Sequence, residues 1–116
     1  MIGKLLPALL CCLVPLSSHA QALPSSTDTA QLREFRRESE AFNRQDPFAN
    51  AYRAGRYNGY FLGVLDALQG KSVCFRGCTC EIDKRIERYL ADHPEVADKP
   101  VVEWLVPLLE ASYPCK

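Results

Sequence analysis

The stretch Ala51 to Gln69, AYRAGRYNGYFLGVLDALQ, is the longest apolar run beyond the chain's beginning, and it constrains the fold most. Tyr57, Phe61, Val64 and Leu68 fall at i, i+4, i+7 and i+11, which lines one face of a helix with 3.6 residues per turn. Gly55, Gly59 and Gly63 recur every fourth residue and leave a second face nearly bare. Each interior glycine costs about 1 kcal/mol against alanine. Three at one spacing therefore predict that something packs close to the helix backbone. Arg53, Arg56, Asn58 and Asp66 interrupt the run, so a membrane span is not expected. The stretch reads as the central buried helix of a small soluble domain.

The residues before it divide in two. Lys4, the apolar run Leu5 to Leu16 and the small-x-small sequence Ser18-His19-Ala20 have the form of a secretory signal peptide, residues 1–20, cut after Ala20. Neither Cys11 nor Cys12 follows the small residue that lipidation requires. The expected mature domain is then 21–116, exported from the cytoplasm. The 14 basic and 14 acidic side chains of the chain balance, and losing Lys4 leaves one net negative charge. No basic face for nucleic acid is implied. So short a domain buries a modest core, and a covalent staple would help it.

Cys74, Cys78, Cys80 and Cys115 remain after cleavage. An even count in a short exported chain reads as disulfides, and four cysteines allow three pairings. A Cys78–Cys80 bond would close a tight ring. A Cys74–Cys115 bond would close a loop of roughly 40 residues, worth on the order of 4 kcal/mol in the chain-entropy model. A metal site using Cys-x3-Cys-x-Cys with His93 or Cys115 matches none of the common zinc spacings. A redox-active thiol is the remaining alternative. No metal or cofactor is expected.

Around the central run the sequence predicts three more helices. The first is capped by Thr27 or Asp28 and runs to about Arg44. Leu32, Phe35 and Phe42 form its apolar stripe, and Arg33, Glu34, Arg36, Arg37, Glu38 and Glu40 form a solvated face. Asp46-Pro47 has the form of a start signal for the central helix, and Gly70 suits its end. Lys71 to Cys78 reads as a loop, with Phe75 either tucked into the core or exposed for recognition. Thr79 can cap the next helix, whose stripe is Ile82, Ile86, Tyr89 and Leu90 and which stops near His93 before Pro94. Glu95 to Lys99 is a polar connector. Pro100 opens the last helix, in which Val102, Leu105 and Leu109 form one face, Val101, Trp104 and Leu108 broaden it, and Pro107 predicts a kink or break. The sum is an all-α domain of four helices stapled by one or more disulfides.

Four pieces stand in order: Gly59-Tyr60-x-x-Gly63-Val64-x-Asp66-Ala67, Cys74, Tyr89-Leu90-x-x-His93-Pro94-Glu95 and Tyr113-Pro114-Cys115. Together they resemble the Rap/Tai-type immunity proteins that protect bacteria from type VI secretion amidase effectors, over about residues 52–115. The chain departs from that pattern at Arg76, where the family loop has proline, at Pro100, Val101 and Val102, where alanines are usual, in lacking a glutamine of the third helix, and in the additional Cys78 and Cys80. The resemblance implies a Cys74–Cys115 bond and leaves Cys78 and Cys80 unexplained. It also implies a non-enzymatic periplasmic inhibitor that blocks the catalytic cleft of a peptidoglycan amidase, often as a homodimer. A small acid-stress chaperone with a disulfide-bonded helical fold is the alternative. Loops on rigid scaffolds tend to carry function, so Lys71, Phe75, Arg76, His93 and Glu95 are the candidate partner-binding residues.

Overall fold

The computed structural model describes residues 27–116, and the signal peptide expected at 1–20 lies outside them. Four α-helices follow in order: α1 (Thr29–Asn43), α2 (Ala51–Leu68), α3 (Cys80–Asp92) and α4 (Val101–Ser112), with a single 3-10 turn at Pro94–Val96. Among the described residues there is no strand, only isolated bridges, and the domain is all-α.

Asp28 caps α1 by accepting from the Gln31 N–H at 2.8 Å. The helix ends in a Schellman motif: Gln45 N–H donates to Phe42 O and Asp46 N–H to Ala41 O, with Gln45 left-handed at φ 59°. Asp46 is thereby committed to closing α1. Its side chain accepts from Phe48 N–H at 2.9 Å within the following turn. The expected helix start at Asp46-Pro47 is therefore corrected to Asn50, whose side chain accepts from Arg53 N–H at 3.0 Å.

α1 packs chiefly on α2. The buried face of α2 is Ala54, Tyr57, Phe61 and Leu65, while Val64 and Leu68 are only partly covered. The central run is thus buried along one face and exposed along the other. Gly55, Gly59 and Gly63 lie on its open side, where an added Cβ would meet nothing within 4 Å. The close approach expected from their spacing is absent among the described residues.

Leu32 from α1, Ile82, Ile86 and Leu90 from α3, and Val101, Trp104, Leu105 and Leu109 from α4 complete one core, with Val73 and Phe75 from the loop and Val96 from the connector. The expected stripe of α1 is corrected at Phe42, which is 53% exposed, because Ser39 one turn earlier takes the buried position. α4 runs unbroken through Pro107. Pro107 and Glu103 both lie on the exposed side, so the Glu103 carbonyl that loses its helical partner faces water.

Two disulfides are present. Cys74–Cys115 joins the loop to the chain's last turn, with Cα atoms 4.8 Å apart, and Cys78–Cys80 spans two residues at the start of α3. Closing a loop of 41 residues contributes about 4 kcal/mol in the chain-entropy model. No group of three or more metal-ligating side chains occurs among the described residues.

Candidate partner-binding site

α3 separates the two segments that the sequence singles out. Lys71–Gly77 precedes its N-terminus and His93–Lys99 follows its C-terminus. The first also meets the end of α4, through Cys74 N–H to Tyr113 O at 2.8 Å, and the second precedes the start of α4. Lys71, Phe75 and Arg76 therefore gather at one end of the bundle, and His93 and Glu95 at the other. They do not form one site.

The loop is preorganised. Gly70, at φ +76°, ends α2 and donates its N–H to Val73 O at 2.8 Å. The Gln69 amide then clamps Phe75 from both sides, donating Nε2–H to the Phe75 carbonyl at 3.0 Å and accepting the Phe75 N–H at 3.1 Å. The Phe75 ring is 9% exposed and meets Tyr113 edge-on, with ring centroids 4.8 Å apart. Arg85 lies over Tyr113 and donates Nε–H to its hydroxyl at 2.9 Å. Phe75 is thus an anchor beneath the loop, the first of the two placements its sequence allowed, and only Lys71 and Arg76 are presented outward. Arg76 lines a hollow with Lys116, while Glu81 lies beside Gly77 at the other edge of the loop.

The opposite end is built on aromatics. Tyr89 stacks on Trp104 with centroids 5.0 Å apart, and His93 stacks on Tyr89 at 4.1 Å. His93 Nδ1 lies 2.8 Å from Glu95 Oε1. The Glu95 carboxyl is held below the usual carboxylate range by its own backbone N–H and by His93. Beneath them, Trp104 Nε1–H donates to Thr29 Oγ1 at 2.9 Å, and that hydroxyl donates to Lys99 O at 2.8 Å. His93 caps this stack at the end of α3, where its backbone N–H donates to Tyr89 O.

Between α1, α2 and the start of α3 lies a feature that sequence reading missed, an open cleft of about 240 Å³. Arg36, Tyr57 and Asp83 line it, with Ser39, Asn58 and the Cys78–Cys80 pair. Arg36 donates Nε–H to Asp83 Oδ1 at 3.1 Å, and Nη1 bonds Glu40 Oε1 at 2.7 Å. The Tyr57 hydroxyl donates to the same Asp83 oxygen. Burial, reinforced by the hydrogen bond to Asp83, raises the Tyr57 pKa well above the ordinary phenol value. Burial alone would lower the Arg36 pKa, but the hydrogen bond and charge of Asp83 outweigh it. Arg33 reaches across to Leu90 O at 3.1 Å. Arg33 and Arg36, expected on a solvated face, are therefore bridges from α1 to α3. Helical spacing places both on the polar side of α1, and nothing local reveals that a second helix covers it.

Within the cleft Arg36 is balanced by Asp83 and Glu40. The arrangement suits rigid presentation of a surface. A comparison with curated proteins and one with solved structures each return no match. Residues 28–115, nearly the whole of the folded domain, match the family model described as Rap1a immunity proteins, and the chain belongs to that family.

Proposed function

We propose that this chain is a periplasmic immunity protein that binds and blocks a peptidoglycan amidase effector of a type VI secretion system. Membership of the immunity family is the observation that carries the reading. The Lys71–Gly77 loop supplies the contact surface in this reading, because it is rigid before binding. Its backbone is held by the Gln69 clamp, by Tyr113 O and by the Cys74–Cys115 bond, so little conformational entropy is left to lose. Lys71 and Arg76 reach outward from that frame and favour an effector cleft with an acidic rim.

The test is a binding titration of oxidised Gln21–Lys116 against the amidase effectors of its own organism, followed by a cell-wall hydrolysis assay. Tight binding with loss of hydrolysis is expected for one of them, and binding to none would sink the proposal. Lys71→Glu with Arg76→Glu is expected to weaken binding at least about tenfold, or 1.4 kcal/mol, with an unchanged melting temperature. The same loss from His93→Ala with Glu95→Ala would move the contact to the other end of α3.

A second reading, a small acid-stress chaperone, draws support from the exposed Phe42, Phe48 and Tyr52 at the α1–α2 end. Suppression of client aggregation at low pH would favour it, and an inert folded protein under those conditions would remove it.

A further inference from the structure

Cys78 and Cys80 have no role in the effector reading and little in the frame. The 41-residue closure by Cys74–Cys115 already ties the loop to the end of α4. Cys78–Cys80 spans only two residues, from just before the N-cap of α3 to its first residue. α3 is held independently of that bridge, by burial of Ile82, Ile86 and Leu90 and by the bonds from Arg36 and Tyr57 to Asp83.

The bridge is open to reagents. Both cysteines are exposed, and both line the cleft beside Asn43, Asn58 and Thr79. The two sulfurs also differ. Thr79 provides no side-chain cap for α3, and the Cys78 sulfur accepts the N–H of its first residue, Cys80, at 3.2 Å. An anionic sulfur there would receive a backbone donor at a helix start, the setting that favours a thiolate. The neighbouring guanidinium of Arg36 is balanced by Asp83, Glu40 and Glu87, so the favourable contact is with the backbone.

We propose that Cys78–Cys80 is a thiol-exchange site that accepts electrons from a dithiol while the four-helix frame and the Cys74–Cys115 bond stay intact. The incoming thiolate attacks Cys80 Sγ. A mixed disulfide forms as the Cys78–Cys80 bond breaks, and the electron pair of that bond leaves on Cys78 Sγ. The second thiolate of the reductant then attacks its own sulfur in the mixed disulfide and expels the Cys80 thiolate. The dithiol ends as a cyclic disulfide, and the protein ends with two thiols, having gained two electrons and two protons.

The experiment titrates oxidised Gln21–Lys116 with dithiothreitol, alkylates the thiols and locates them by peptide mass spectrometry, with near-ultraviolet circular dichroism recorded in parallel. Cys78 and Cys80 are expected to become alkylated at a dithiol concentration at least about tenfold below that which opens Cys74–Cys115, because both are exposed whereas Cys115 is half-buried. The aromatic signal should be unchanged at that first step. The variant Cys78→Ala with Cys80→Ala should fold, keep its melting temperature and lack the first step. The proposal is overturned by two free thiols before any reductant, by both bonds opening together, by Cys74–Cys115 opening first, by loss of the aromatic signal with the first bond, or by failure of the double variant to fold.

Discussion

At its N-terminal end α3 meets a loop tied by the Cys74–Cys115 disulfide, whereas at its C-terminal end the connector is held without a covalent link, by Thr29, Trp104 and the backbone of Lys99. The loop buries Val73 and Phe75, the connector only Val96, and the loop's outward Lys71 and Arg76 are cationic. The connector end stacks three aromatic rings and spends a buried hydroxyl on joining α1 to α4. Both ends are packed; the loop end adds a bond through sulfur, and the connector end a buried hydroxyl bridge.

That contrast breaks most visibly at Cys115. Cys115→Ser should lower stability by about 4 kcal/mol, read by denaturant unfolding, and the Cys74 amide should lose hydrogen-exchange protection while the Val101 amide, donating to Thr27 O, keeps it. Loss of protection at both ends together would mean that the two ends are one cooperative unit. Next in size is Thr29→Val, which leaves Trp104 Nε1–H without its acceptor and Lys99 O with only the Thr29 backbone N–H, and should cost about 1–3 kcal/mol. Here the expected pattern reverses, with Val101 exposed to exchange and Cys74 protected. Phe75→Ala belongs with these stability variants, because a buried ring at the base of the loop cannot report on binding alone.

Tyr57 gives a pH test of the region between the two ends. Its folded pKa is raised above the ordinary value of 10.0. Above pH 10 the unfolded chain loses that proton and the folded chain keeps it, so the unfolded state binds fewer protons and stability falls as pH rises. Below pH 10 the contribution is fully present. Tyr57→Phe should show a shallower alkaline decline than the parent protein in urea unfolding followed across that range. Equal slopes would remove the Tyr57–Asp83 bond from the account.

The smallest expected effect has the opposite sign. Gly59→Ala places a methyl group in open space on a helix and should stabilise the chain by about 0.5–1 kcal/mol. A loss instead would show that another molecule covers this side of α2.

Much of this architecture is legible in the sequence because it is local. Asp28, Gly70 and Pro94 mark helix ends through their own backbone preferences, and the stripe of Ile82, Ile86 and Leu90 follows from spacing alone. What was not legible depends on contacts from elsewhere. Asp46-Pro47 carries a start signal, but Asp46 is already used as the last residue of a Schellman turn, and left-handed Gln45 gives no glycine to announce it. The three glycines suggest close packing, yet α1 and the other helices approach α2 from the side bearing Tyr57 and Phe61. The cleft is least legible of all. Arg36, Tyr57 and Asp83 come from three helices, and no spacing within one helix announces their meeting.

The bonds from Thr29 to Lys99 and from Trp104 to Thr29 span 70 and 75 residues. They impose an order in time. The α1–α2 hairpin can form from neighbouring sequence as the chain emerges, but the start of α1 cannot be locked until α4 has been made. Contacts between such distant residues demand large loop closures and are expected to form late. Until then the chain is a helical hairpin with an unfinished edge, and its last helix is the piece that commits the whole to the native state.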